Sequence, residues 1–186
     1  MLSKIKENTN PPVIYTIGHS TRTLDEFISM LKAYHIQLLA DIRTMPGSRR
    51  VPQFNEENMK PALEETGIHY IHLKKLGGLR HTTKESVNTA WRNKSFRGFA
   101  DYMQTKDFEE GLGELMSSAK NKTTAIMCAE AVPWRCHRSL VGDALLVRGF
   151  EVEDIFSEKK QQPHKLTSFA KVDGLKVIYP AALIEH

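Results

Sequence analysis

The sequence has little of what marks secreted, membrane-spanning or strongly nucleic-acid-binding proteins. It contains only two cysteines in 186 residues, which is too few for a disulfide-stabilised secreted domain and typical of a reducing cytoplasm. No stretch approaches the roughly eighteen apolar residues of a membrane span, and residues 1–12 lack the apolar core of a signal peptide. With 26 Lys and Arg against 22 Asp and Glu, the charge excess is too mild to indicate a nucleic-acid or membrane partner by itself. These absences predict a cytoplasmic globular protein.

What the sequence does contain is an alternation of short β-branched runs with amphipathic segments. Strands are predicted at residues 13–17, 38–43, 68–73, 123–128, 151–156 and 176–184. Helices are predicted at residues 23–34, 55–66, 96–120 and 138–148, with Pro61 favouring a later start near Lys60 and Asp107 capping a second helix within the third segment. Residues 157–171 are charged and are expected to be irregular.

This alternation predicts the fold class and the domain organisation. Strands that alternate with helices favour an α/β fold with right-handed crossovers between parallel strands. We expect a single domain over residues 13–186, with a mostly parallel sheet of about five or six strands flanked by helices. Residues 1–12 are polar, end in two prolines and are expected to form a flexible leader.

Polar and glycine-containing segments follow each of the first four predicted strands. In chain order these segments contain Gly18, His19 and Ser20, then Asp41 and Arg43, then Gly77, Gly78 and Arg80, and finally Cys128 onward. Because the carboxyl ends of parallel strands lie at one edge of a sheet, ligands of such folds bind in the crevice outside that edge. The sequence therefore predicts that four loops form one site.

Together these segments resemble one known family, the domain of unknown function DUF488. The matching pieces are Ile17-Gly18-His19-Ser20, Asp41-Ile42-Arg43 with Pro46 and Ser48, Leu76-Gly77-Gly78, and Cys128-Ala129-Glu130 followed by Cys136-His137-Arg138. The resemblance covers a core at residues 13–156. It implies a compact cytosolic α/β domain, but no reaction, since the family has no firmly assigned activity.

The two cysteines, Cys128 and Cys136, allow several interpretations. Cys128 is a candidate catalytic nucleophile whose thiolate Arg135, Arg138 or a helix N-terminus would favour, but a small buried hydrophobic side chain is an equal alternative. A zinc site with His137 is an alternative that lacks the usual closely spaced cysteine pair, so no metal is predicted. A regulatory disulfide is another, and it requires Cα atoms within about 7 Å. The cysteine loop is also distantly similar to that of rhodanese sulfurtransferases, although its length differs.

The arginines at the strand ends form a second group of candidates. Arginine presents a planar fork suited to phosphate or carboxylate, and helix N-termini near Thr23 and Arg138 offer further donors for an anion. Glu130 and Asp41 are candidate general bases or partners that orient an arginine, and His19 and His137 are candidate acid–base groups. The predicted catalytic residues are Cys128, His137, Glu130 and Asp41, and the predicted ligand-binding residues are Gly18, His19, Ser20, Arg43, Gly77, Gly78, Arg80, Arg135 and Arg138.

These residues predict an α/β enzyme that binds a phosphate-bearing or nucleotide-like small ligand at the carboxyl edge of its sheet. One alternative is cysteine-dependent chemistry of the sulfurtransferase type. The other is a non-catalytic nucleic-acid-binding module that contacts phosphates through Arg22, Arg49, Arg50, Arg92, Arg97 and Arg135. No membrane partner is expected, and no pattern in the sequence identifies a cofactor.

Overall fold

The computed structural model describes residues 10–183 of the chain. Most of the predicted leader, residues 1–9, and the last three residues of the predicted domain, 184–186, lie outside this range. None of the helices within residues 10–183 is both long and apolar enough to cross a membrane.

The fold is built on a six-stranded sheet with the strand order β3-β2-β4-β1-β5-β6. Five of its strands are mutually parallel and the sixth is antiparallel to its neighbour, which confirms the predicted α/β class and mostly parallel sheet. The strands are β1 (Val13–Gly18), β2 (Leu38–Asp41), β3 (His69–His72), β4 (Thr124–Cys128), β5 (Glu151–Ser157) and β6 (Lys160–Pro163). A separate two-stranded ribbon contains β7 (Lys171–Asp173) and β8 (Lys176–Ile178).

Helices cover both faces of the sheet and bury one apolar cluster on each face. They are α1 (Leu24–Ala33), α2 (Glu56–Glu65), α3 (Lys94–Tyr102), α4 (Lys106–Ala119) and α5 (Arg138–Leu146). The apolar residues of α1 and α2 belong to one core cluster, and those of α3, α4 and α5 belong to the other. Successive residues of β4 alternate between the two clusters, as expected for a strand buried on both faces.

Several predicted boundaries differ from those in the structure. The helix predicted over residues 55–66 spans Glu56–Glu65, so the later start near Lys60 that Pro61 favoured is wrong. Pro61 is tolerated inside the helix because the proline and the Glu57 whose carbonyl it leaves unpaired are both exposed. The fourth helix is capped by Thr105, whose hydroxyl accepts from the Phe108 N–H, and not by Asp107. In contrast, the predicted capping box of α1 is present.

The segment expected to be irregular after β5 contains an additional strand. β6 has four exposed residues, Lys-Gln-Gln-Pro, and pairs with β5 only through the edge of the sheet. Because an exposed edge strand buries no apolar side chain, the sequence carries no alternating pattern that would reveal it. The strand predicted at residues 176–184 is shorter, at Lys176–Ile178, and belongs to the ribbon.

The connections of the sheet change direction between β1 and β4. The chain leaves β1 through α1 toward β2, whereas it leaves β4 through α5 toward β5, and the two helices lie in different core clusters on opposite faces. Adjacent strands whose connections diverge in this way open a crevice beyond their carboxyl ends. In the parallel pairing of β1 with β4, Gly18 lies opposite Cys128 at the carboxyl ends of the two strands.

Candidate functional site

The loops after β1 and β4 are held together beyond the ends of the strands. The backbone N–H of His19 donates to the carbonyl of Cys128 at 3.0 Å, and that of Ser20 donates to Ala129 at 2.9 Å. Gly18 has no room for a side chain, because a Cβ there would overlap the carbonyl group of Glu130. These contacts fix the loop that carries the cysteines against the first strand.

A cavity of about 450 Å³ opens at this edge of the sheet. It collects residues from the loops after β2, β3 and β4 and from the start of α3. The predicted contribution of the first loop is missing, because Gly18, His19 and Ser20 do not line the cavity. Its walls are Arg43, Thr44, Met45, Gly47, Gly78, Leu79, Ser95, Phe96, Cys128, Ala129, Glu130, Arg135, Cys136 and His137.

Both cysteines lie on the wall of this cavity with their sulfur atoms in contact. Cys128 is 2% exposed and Cys136 is 5% exposed, so only a molecule that enters the cavity can reach them. Their Cα atoms are 7.2 Å apart, which is wider than the roughly 4.4–6.8 Å that relaxed disulfides span.

Arg138 is fully buried and its guanidinium group contacts the Cys128 sulfur. Nη1 lies 2.8 Å from Cys128 Sγ and also donates to the Glu130 carbonyl at 2.5 Å. The other contacts of this head group are the Thr16 hydroxyl and the Ala131 carbonyl, and it makes no direct ion pair with a carboxylate of residues 10–183. Burial lowers the pKa of Arg138 to about 10, which leaves it charged at neutral pH. The charges of Asp154 and Glu130 favour the charged form of Arg138, and its guanidinium group would in turn favour a thiolate at Cys128.

Cys136 lies two residues before the first residue of α5, close to the backbone N–H groups of that helix's first turn. The Arg138 N–H points at Cys136 Sγ, with a separation of 3.5 Å. Such a helix N-terminus favours a thiolate, as does a neighbouring cation. Each sulfur of the pair therefore has its own positively polarised donor.

His137 contacts the Cys136 sulfur through a defined ring nitrogen. Its Nε2 lies 3.0 Å from the carbonyls of both Ile42 and Leu76, so this nitrogen must carry the proton. Burial, with the charges of Arg138 and Arg80, lowers the pKa of His137 to about 4, and the ring is neutral at pH 7. The lone pair is then on Nδ1, which lies 3.6 Å from Cys136 Sγ and can accept the thiol proton.

Asp41 and Arg43 form a buried ion pair behind the cavity. The Arg43 guanidinium group donates to Asp41 through Nε at 2.9 Å and Nη2 at 2.7 Å, and Nη2 also donates to the Phe54 carbonyl. Asp41 in addition accepts from the Tyr70 hydroxyl at 2.6 Å. The carboxylate predicted as a catalytic base is thus saturated by neighbours, and most of the Arg43 fork is already occupied by a carboxylate.

His19 lies on the same buried layer, outside the cavity wall. Its ring stacks on Phe54 with centroids 4.4 Å apart, and its Nε2 is 3.3 Å from Arg43 Nη1. Burial, together with the nearby charge of Arg43, lowers the pKa of His19 to about 4. The adjacent Ser20 adopts a positive φ of 51° and contributes its backbone to the junction of the β1 and β4 loops.

The remaining predicted residues divide between the cavity wall and its surroundings. Gly78 faces His137, where a Cβ would lie 2.5 Å from Nδ1, and Gly77 packs against Thr44. Arg80 stacks over the Tyr102 ring at 3.6 Å and does not line the cavity. The Glu130 side chain and Arg135 are exposed at the cavity, and neither forms an ion pair with another described residue.

The structure contains a buried polar network next to Arg138 that the sequence analysis did not predict. Thr16 accepts from Arg138 Nε at 3.3 Å and donates to Asp154 at 2.5 Å. His164 lies between Asp154 at 3.4 Å and Asp143 at 2.9 Å. The only signal in the sequence was an aspartate inside the apolar run of β5, because the other members lie in different elements with no shared spacing.

The protonation of His164 gives this network a measurable pH dependence. Although desolvation opposes the charged form, hydrogen bonds and charges of Asp143 and Asp154 outweigh it and raise the pKa of His164 to about 9. An unfolded histidine titrates near a pKa of about 6.5. The stabilisation is therefore complete below about pH 6.5 and is lost as the pH rises to about 9.

We accordingly expect the free energy of unfolding, measured in urea, to fall between pH 6.5 and 9 partly through His164. His164→Asn should flatten this fall, whereas His69→Asn, at an exposed histidine of β3, should leave it unchanged. An identical slope in all three proteins would mean that His164 is not charged in the folded state.

Metal ligands do not gather in the described part of the chain. Within residues 10–183 no group of three or more His, Cys, Asp or Glu side chains is arranged to hold a metal ion. His137 and His19 direct their Nε2 atoms to the Ile42 and Leu76 carbonyls and to Arg43, respectively.

Comparison with known proteins identifies the family. Residues 23–145 match the model of the domain of unknown function DUF488, which covers both cysteines, Arg43 and Arg138. No curated protein and no solved structure matched the chain. The match spans more than half of the 186 residues and confirms the resemblance found in the strand-end segments. The chain belongs to the DUF488 family.

Proposed function

We propose that this protein is a cysteine-dependent enzyme in which Cys128 attacks a sulfur atom of a small anionic substrate and Cys136 resolves the product. The observation that carries the proposal is the buried Arg138 guanidinium, 2.8 Å from the Cys128 sulfur at the wall of a cavity of about 450 Å³. A thiolate paired with a cation is the reactive form of cysteine. The reducing cytoplasm is the proposed location, because it would return the pair to the dithiol.

The chemistry follows from the two sulfurs in contact. The Cys128 thiolate attacks a sulfur of the substrate R–S–X, forms Cys128–S–S–R and releases X as its anion. Cys136 then attacks the Cys128 sulfur, expels R–S⁻ and leaves a Cys128–Cys136 disulfide. His137 Nδ1 orients the Cys136 thiol as a hydrogen-bond acceptor, and the thiol proton leaves with the departing R–S⁻. An external dithiol reduces the disulfide and completes the cycle. When R is hydrogen, the first product is a persulfide, as in sulfur transfer.

The lining of the cavity supports a substrate with an apolar part and an anionic group. Met45 and Leu79 are 71% and 70% exposed at its rim, and Phe96 adds an aromatic wall. Arg135 is exposed on the same wall and has no carboxylate partner among the described residues. Its fork is therefore available for phosphate, sulfonate or carboxylate. This retains the predicted anionic ligand but assigns its binding to Arg135, because Arg43 is engaged by Asp41.

An aromatic disulfide bearing two carboxylates, 5,5′-dithiobis(2-nitrobenzoate), tests the proposal. The reduced protein should release both aryl thiolates of one reagent molecule and end as the Cys128–Cys136 disulfide. Cys136→Ser should release only one and retain the other as a mixed disulfide on Cys128. The absorbance of the released thiolate and the mass of the intact protein measure these outcomes.

Cys128→Ser serves as the control, since it keeps Cys136 but removes the proposed attacking group. It should react much more slowly than Cys136→Ser under the same conditions. Equal rates for the two variants, or the same behaviour after urea unfolding as before it, would contradict the assigned roles.

A further inference from the structure

We infer that Thr16, oriented by Asp154, is a positioning residue that holds the Arg138 guanidinium against the Cys128 sulfur and so sets the reactivity of that thiol. This inference rests on the proposed function, since it concerns the same sulfur. It adds a residue that does not line the cavity.

The orientation of the Arg138 guanidinium group follows from the way in which the Thr16 hydroxyl forms its two hydrogen bonds. Thr16 Oγ1 is 2.5 Å from Asp154 Oδ1, and a carboxylate oxygen only accepts, so the single hydroxyl proton is committed there. The oxygen lone pairs are then available to Arg138 Nε–H, 3.3 Å away. Because the guanidinium group is planar and rigid, fixing Nε on Thr16 also fixes the direction of Nη1 toward Cys128.

The hydrogen bond between Thr16 and Arg138 is buried, so its loss should change the position of the guanidinium group. Thr16 is 1% exposed and Arg138 is 0% exposed, so no solvent molecule can easily replace the hydroxyl. The other groups that hold the head group are the Glu130 and Ala131 carbonyls, which lie on the loop and not on a strand. Apart from Cys128 itself, Thr16 is the hydrogen-bond partner of the Arg138 head group, among the described residues, that lies in the central sheet, at a position where β1 pairs with both β4 and β5.

The charged groups near Arg138 are Asp154, Glu130 and Arg22, and Asp154 in turn lies close to His164. Asp143, which accepts from the Tyr179 hydroxyl, pairs with the other ring nitrogen of His164. Replacing Thr16 by valine changes none of these charges and keeps the shape of the side chain. Any effect on the thiol must then come from the position of Arg138.

The test measures the rate at which iodoacetamide alkylates Cys128 across pH in a Cys136→Ser background. Thr16→Val should raise the pKa of Cys128 by about one unit and slow alkylation at neutral pH by about tenfold. Thr16→Ser, which restores the hydroxyl, should return the profile toward that of the parent. Thr124→Val is the matched control, because Thr124 is also fully buried on a strand but bonds only to the Lys122 carbonyl.

The outcomes separate this inference from the proposed function. If the parent has a lowered Cys128 pKa that Thr16→Val leaves unchanged, the positioning role is wrong while the reactive cysteine stands. If the parent thiol is ordinary, both are wrong. Should Thr16→Val fail to fold, Thr16→Ala removes the same hydroxyl, and circular dichroism establishes which variant is folded before rates are compared.

Discussion

Replacing Arg138 by alanine in a Cys136→Ser background should slow the alkylation of Cys128 at neutral pH by roughly 10- to 100-fold. The reason is the loss of the guanidinium group 2.8 Å from the sulfur, which is the nearest positive charge to a cysteine that is only 2% exposed. Without this cation, burial disfavours the thiolate and raises the pKa of the thiol. Stopped-flow alkylation followed by peptide mapping measures the effect at the single remaining cysteine.

Arg148→Ala provides the matched control for the Arg138 variant. Arg148 follows the end of α5, its side chain is 6% exposed, and it pairs with Glu109 at 2.6 Å while Nη1 donates to the Ala144 carbonyl. Its removal also takes a mostly buried arginine from the same region of the fold, but far from either cysteine. Equal slowing by the two substitutions would show that general destabilisation, and not the Arg138 charge, controls Cys128.

Asp41→Asn should have the largest effect on stability, lowering the free energy of unfolding by about 3–5 kcal/mol. The carboxylate is fully buried, holds the Arg43 fork through two contacts and accepts from the Tyr70 hydroxyl. An amide cannot serve these donors equally and leaves the buried guanidinium without its counter-ion. Urea unfolding at neutral pH, followed by tryptophan fluorescence, measures the loss.

The same Asp41→Asn variant should leave the alkylation rate of Cys128 within about twofold of its parent, because Arg138 and not Asp41 contacts the sulfur. Glu110→Gln is the control for the stability measurement. Its ion pair with Lys75 is about half exposed, so its loss should lower the free energy of unfolding far less than Asp41→Asn does. A loss of reactivity in Asp41→Asn without a loss of stability would return Asp41 to the catalytic role predicted from the sequence.

The parts of the site that the sequence predicted are those governed by topology. Alternating strands and helices require parallel neighbours, and parallel neighbours bring their carboxyl ends to one edge. One cavity is therefore lined by Cys128 at the end of β4, by Arg135 in the segment that follows it and by Gly78 in the segment after β3. The position of Gly18 against the Glu130 backbone follows from the same convergence.

The parts that the sequence did not predict depend on which polar groups pair after the chain folds. Asp41 and Arg43 are two residues apart, and nothing in that spacing distinguishes a mutual ion pair from two groups facing a ligand. Thr16 and Asp154 are separated by 138 residues and meet only because β5 lies beside β1. A threonine in a β-branched run is ordinary for a strand, so its hydroxyl gives no sign of a partner.

The pKa of Cys128, measured from the pH dependence of alkylation in Cys136→Ser with Cys128→Ser as the blank, tests the proposed chemistry most directly. An unperturbed cysteine titrates at about 8.5. We expect a value at least about one unit lower, which Arg138→Ala raises again, because the buried guanidinium group stabilises the thiolate. A value at or above about 8.5 that Arg138→Ala does not change would make Cys128 a structural residue and would contradict the proposal of a cysteine-dependent enzyme.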